Sequence, residues 1–136
     1  MTHEHVGTGP VRAQFSVDGT TVLVLRGDID IATAPLVTAC LDALTAVPHP
    51  DLVVDLSPVS FLDCSGLNVL CRARRRTRER HGRLRLVSGG ERLRVVLRHT
   101  GLADAFEIHP SLPDALRPAC PTPRTDGFVP AAAPSS

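Results

Sequence analysis

Residues 51–67 read Asp51-Leu52-Val53-Val54-Asp55-Leu56-Ser57-Pro58-Val59-Ser60-Phe61-Leu62-Asp63-Cys64-Ser65-Gly66-Leu67. Asp51–Leu56 is apolar on both faces apart from Asp55, the pattern of a strand inside a sheet covered by helices. A short loop follows and delivers a serine to the place where a helix begins. The first backbone N–H groups of a helix have no intrahelical acceptor, so the position favours an anion. Ser65 can cap the helix there, and a phosphate on its hydroxyl would lie over the same amides. Ser65 is therefore read as a switch residue.

Upstream, Ala13, Phe15 and Val17 alternate with Gln14 and Ser16, the period of a half-buried strand. Asp18-Gly19-Thr20 predicts a tight hairpin turn, with Thr21–Arg26 as the returning strand. Gly27–Asp30 is expected as a loop. A helix follows from about Thr33 to Thr45, with Thr33 as N-cap, Pro35 in its first turn and Leu36, Val37, Cys40, Leu41 and Leu44 as its apolar stripe. Downstream, a second helix runs from Ser65 or Gly66 to about His81, closed by Gly82. Then come a strand at Arg83–Val87, a helix at Glu91–Thr100, a strand at Ala105–His109 and a short helix at Leu112–Leu116 capped by Ser111. This order predicts a single mixed α/β domain. Its mixed β-sheet combines an N-terminal hairpin with parallel strands, covered by about four helices. Residues 1–10 are expected as a flexible arm, 11–117 as the domain, and 118–136 as a Pro/Ala-rich tail too poor in apolar residues to stay ordered.

The 136 residues suffice for one domain. With no Trp, no Tyr and four Phe, an aliphatic core is expected and an aromatic platform for single-stranded nucleic acid is not. The formal net charge of +1 hides an asymmetry. Residues 1–63 carry eight acids against Arg12 and Arg26, a net of −6, and residues 64–136 carry thirteen Arg against six acids, a net of +7. Opposed charged regions suit a charged protein partner. That every basic residue is Arg, with Ala and Pro abundant, fits the codon bias of a GC-rich genome. Cys40, Cys64, Cys71 and Cys120 form no C-x-x-C pair, and no His stands at zinc-ligand spacing; reduced thiols in a cytoplasmic protein are the simplest account. His3-Glu4-His5 resembles a metal-ligand trio only superficially. No signal peptide is evident, and no apolar run approaches the roughly 20 residues that span a bilayer.

Taken together, residues 11–117 resemble the STAS-domain anti-sigma-factor antagonist family. The run Leu52-Val53-Val54-Asp55-Leu56-Ser57-x-Val59-x-Phe61-Leu62-Asp63-Cys64-Ser65-Gly66-Leu67 is similar to that family's hydrophobic-D-L-x-x-V-x-F-hydrophobic-D-S-S-G-L signature. Leu25-x-Gly27-x-Ile29-Asp30 is similar to its L-x-G-E-L-D stretch, and Thr100-Gly101-Leu102 to the S/T-G-L closing its third helix. The resemblance implies that Ser65 is the residue phosphorylated by the partner, an anti-sigma factor that is itself a serine kinase. It implies that the unphosphorylated form binds that partner and frees the sigma factor, that phosphorylation reverses this, and that a serine phosphatase resets the switch. Asp30 and Asp63 match the acidic positions beside the phosphorylation site. Cys64 replaces the family's first serine, and Gly66 and Leu67 complete the motif expected at the partner surface. No cofactor or metal is implied, and the setting implied is cytoplasmic transcription regulation by partner switching. The Arg-rich second helix and the Pro-rich tail depart from the pattern.

Three other readings compete. Arg72, Arg74, Arg75, Arg76, Arg78 and Arg80, with Arg83 and Arg85, raise nucleic-acid binding, yet they fall on several sides of a helix that must also cover a sheet. A catalytic serine needs a positioned base and an oxyanion site; His49, His81, His99 and His109 form no recognisable arrangement, and Leu62-Asp63-Cys64-Ser65-Gly66 lacks the first glycine of a nucleophile elbow. The expectation is therefore no enzymatic activity. Similar domains also serve in transporter tails, lipid-trafficking complexes and stress-sensing assemblies, and the absence of membrane spans favours the free-standing antagonist.

Overall fold

The computed structural model describes residues 5–6, 9–102 and 104–117. The elements are β1 (His5–Val6), β2 (Val11–Val17), β3 (Thr20–Leu25), β4 (Gly27–Ile29), α1 (Ala34–Leu44), β5 (Asp51–Asp55), β6 (Val59–Leu62), α2 (Cys64–Glu79), β7 (Arg83–Val87), α3 (Glu91–His99), β8 (Glu107–His109) and α4 (Leu112–Ala115). Six strands form one sheet in the order β1-β2-β3-β5-β7-β8. The β1–β2 and β2–β3 pairings are antiparallel and the rest parallel. The mixed sheet expected from the sequence is thus present.

Two-residue periodicity sorts the strands onto two faces. Leu23, Leu25, Leu52, Val54 and Leu86 face α1, α2 and α3, which contribute Val37, Leu41, Leu67, Leu70, Leu93 and Leu97. Ala13, Val22, Val24, Val53 and Val87 face the other way, against Leu112, Ala115 and Leu116 of α4 and its end. Asp18 and Gly19 hold positive φ angles of 50° and 86°, so β2 and β3 are joined by the two-residue turn whose twist matches a hairpin. Arg85 lies on the α4 side, 2% exposed. Its guanidinium donates to the Asp51 carboxylate and the Ala115 carbonyl, so a buried cation joins two strands to α4.

Four local expectations need correction. His5–Val6, read as part of a loose arm, pairs antiparallel with Gln14 and Ala13 and covers an edge that β2 would otherwise leave open. Gly27–Ile29, read as a loop, is β4, and the loop placed after β5 contains β6; the two form a separate parallel two-stranded sheet. Leu36, assigned to the apolar stripe of α1, is 59% exposed, because only Val37 and Leu41 of this helix are buried. Gly82 does not take the left-handed position after α2. His81 does, at φ 58°, and Gly82 is needed because a Cβ there would lie 2.1 Å from the Pro50 carbonyl oxygen. The tail expected at 118–136 lies outside the described residues.

Candidate functional site

The small β4–β6 sheet is what brings the motif residues together. Ile29 pairs with Leu62, and the Asp63 N–H donates to the Ile29 carbonyl at 3.2 Å. This clamps the end of β4 to the start of α2. Gly66 lies in the first turn of α2 with no room for a side chain, since a Cβ would stand 2.7 Å from Leu62 Cγ and 3.0 Å from the Ile29 oxygen. The head of α2 is thereby pressed onto both short strands.

Asp63, not Ser65, caps α2. Its extended backbone (φ −100°, ψ −167°) turns the carboxylate back to accept the N–H groups of Ser65 at 2.8 Å and Gly66 at 3.2 Å. Ser65 sits two positions past the cap, where its own amide is among those needing an acceptor. The phosphate pictured over these amides would find two of them taken. Asp30 plays a parallel part at the entry to α1. Its carboxylate accepts the N–H groups of Ala32 at 2.9 Å and Thr33 at 3.2 Å. Thr33 was expected to cap α1 with its side chain, but its hydroxyl donates backwards to the Asp28 carbonyl at 2.8 Å.

Of the residues singled out from the sequence, Cys64 is exposed, while Asp30, Asp63 and Ser65 are half-buried. Gly66 and Leu67 are buried, so they act on any docking surface through the position of their neighbours. Ser65 lines an open groove between α1 and α2 together with Ile31, Pro35, Asn68, Val69 and Arg72. Ile31 is 80% exposed, an apolar side chain standing in water beside the serine. Its sequence signal was only a lone isoleucine after Asp30, and the groove's far wall, Pro35 and Thr38 of α1, gave none.

Electrostatics divides the arginines. Arg72 donates two bonds to the Asp42 carboxylate at 2.9 and 3.0 Å, and these hold the Asp42 carboxyl below its ordinary range. Arg76 donates to Thr45 Oγ1 at 2.9 Å and to the Asp42 carbonyl at 3.1 Å. Arg74 donates to the Ala105 carbonyl at 2.6 Å, and Arg83 pairs with Glu107. With Arg85, five of the eight arginines between 72 and 85 serve to tie elements of this chain together, which disfavours a nucleic-acid surface. His49 Nδ1 meets the His81 carbonyl at 3.3 Å, and His109 pairs with Glu107. Among the described residues no histidine hydrogen-bonds to Ser65, no group of three or more potential ligands is gathered for a metal, and no helix is long and apolar enough to cross a membrane.

Comparisons with known proteins agree with this architecture. Residues 15–115 match the model of the STAS domain. The chain is 34% identical over 103 residues to the anti-sigma-F factor antagonist RsfA of Mycobacterium tuberculosis, covering 73% of this chain and 79% of that protein. It is 35% identical over 86 residues to the anti-sigma-B factor antagonist of Listeria monocytogenes, covering 63% and 75%. The crystal structure of an anti-sigma factor antagonist from Mycobacterium paratuberculosis superposes with a TM-score of 0.68 at 32% identity, covering 85% of this chain and 90% of that one. On the family model and on these relatives, the chain belongs to the STAS domain family.

Proposed function

We propose that this protein is an anti-sigma-factor antagonist switched at Ser65. The unphosphorylated form docks on a kinase-type anti-sigma factor in the cytoplasm and frees the bound sigma factor. Phosphorylation of Ser65 by that kinase ends the interaction, and a serine phosphatase restores it. The role is one of binding, not catalysis.

The observation that carries this reading is the setting of Ser65: half-buried at the head of α2, opening onto a groove bordered by the exposed Ile31. The relatives named as antagonists support the class of partner. A phosphate adds about −1.5 to −2 charges beside Asp63. Because the Asp63 carboxylate holds the N–H groups of Ser65 and Gly66, the added charge is left to face the groove and whatever docks there. Like charges brought together at an interface cost several kcal/mol, and a hundredfold loss of affinity needs only about 2.7 kcal/mol. One phosphate is enough. Incubation with kinase-type anti-sigma factors and Mg-ATP, followed by mass mapping, is expected to find a single phosphate on Ser65. Phosphate on another residue, with Ser65 unmodified, would refute the assignment.

A further inference from the structure

A second concavity lies at the carboxyl ends of β5 and β7, between β6 and α3, and shares no lining residue with the α1–α2 groove. It encloses about 550 Å³, within the range of roughly 300–1,000 Å³ typical of small-molecule sites. Leu56, Val59, Leu93 and Val96 form its walls, with Phe61 at its mouth, 51% exposed.

The charges around it select among ligands. Among the described residues Arg92 is the only charged residue lining the cavity, and no carboxylate does. One of its five N–H donors reaches the Ser60 carbonyl at 2.6 Å, which draws the guanidinium across the mouth. An apolar chamber with a single fixed cation at its opening complements a molecule with an apolar body and one anionic end. A neutral hydrocarbon would gain nothing from the guanidinium, and a cation would be repelled. We propose that this cavity binds a small amphipathic carboxylate, its body under Phe61 and its carboxylate on Arg92. The site does not depend on phosphorylation of Ser65. It does adjoin it: Leu62 lines the cavity, precedes the cap residue Asp63 and packs on Gly66.

The test is titration of the ¹⁵N-labelled full chain with sodium decanoate below its micellar concentration, followed by amide shifts. Saturable changes are expected at Leu56, Val59, Leu93 and Val96, and decanol is expected to bind about two- to fivefold more weakly, the factor of one exposed charge pair. Arg92→Gln, at an exposed position, should weaken decanoate by a similar factor and leave decanol unchanged. Val96→Trp should fill the chamber and abolish both. Shifts that do not saturate, shifts gathered instead in the α1–α2 groove, or equal binding of decanoate by wild type and Arg92→Gln would overturn the proposal.

Discussion

Gly66→Ala should destabilise this protein, against the general preference of helices for alanine. At an open helical position the exchange gains about 1 kcal/mol. Here the new Cβ would stand 2.7 Å from Leu62 Cγ, 3.0 Å from the Ile29 oxygen and 3.1 Å from Ile29 Cγ2. Comfortable carbon contacts begin at about 3.5 Å, so the closest overlap is about 0.8 Å. Relief is difficult. The Leu62 atom is the branch point of the side chain, and the Ile29 oxygen is held by the Asp63 N–H. Overpacking of this kind costs about 1–3 kcal/mol, and loss of the Ile29–Asp63 bond adds about 1 kcal/mol. Set against the propensity gain, the net is a loss of about 1–3 kcal/mol, or about 5–15 °C in Tm for a domain of this size. Urea denaturation gives the same quantity as a lower midpoint at constant slope. Gly90→Ala is the control for space, because nothing lies within 4 Å of a Cβ there; as the N-cap of α3, where Ala is poorer than Gly, it should lose no more than about 1 kcal/mol. A Gly66→Ala protein as stable as wild type would show that α2 does not seat against β4 and β6 as described.

Asp63→Ala removes the acceptor of two amides and should cost about 1 kcal/mol by urea denaturation, whereas Asp63→Asn, which can still cap, should cost less. Equal losses would mean that the carboxylate acts through its charge alone. Asp51→Ala strips the buried Arg85 of its carboxylate and should cost about 2–4 kcal/mol, tempered because Asp51 itself is partly exposed; Arg85→Met with Asp51→Val should recover most of that loss, and additive losses would contradict the pairing. Acid should weaken the fold through two carboxylates. Arg72 hydrogen bonds lower Asp42 from its ordinary 3.8, while burial raises Glu107 but Arg83 and His109 outweigh it and leave it below 4.5. Both are depressed in the folded state, so the unfolded chain binds more protons in this window. Their stabilisation is complete above about pH 5 and is lost as pH falls through the folded values. The urea midpoint of Asp42→Asn, measured between pH 6 and pH 2.5, should therefore fall less than that of wild type.

Much of this architecture is visible in the residues themselves. The run Leu52-Val53-Val54 marks a strand covered on both sides, and Asp18-Gly19 marks the hairpin, because both depend on neighbours within a few positions. The segments Gly27-Asp28-Ile29 and Val59-Ser60-Phe61-Leu62 were not readable as strands. Each is too short to show a period, and each exists through pairing with the other some thirty residues away. The cap of α2 failed for a different reason. Asp63 and Ser65 are both good capping residues, and only the backbone geometry shows that the carboxylate turns back over the first turn. The groove beside Ser65 and the cavity under Phe61 arise from packing of separate elements, so composition carried no trace of either.

The central claim concerns one oxygen atom, the hydroxyl of Ser65. The direct measurement is the affinity of the purified full chain for the anti-sigma factor proposed as its partner, by calorimetry, for wild type, Ser65→Ala, Ser65→Glu and the phosphorylated protein. Wild type and Ser65→Ala should bind alike, and the phosphorylated protein at least about a hundredfold more weakly, with Ser65→Glu between them. Undiminished binding by protein carrying phosphate on Ser65 would contradict the account.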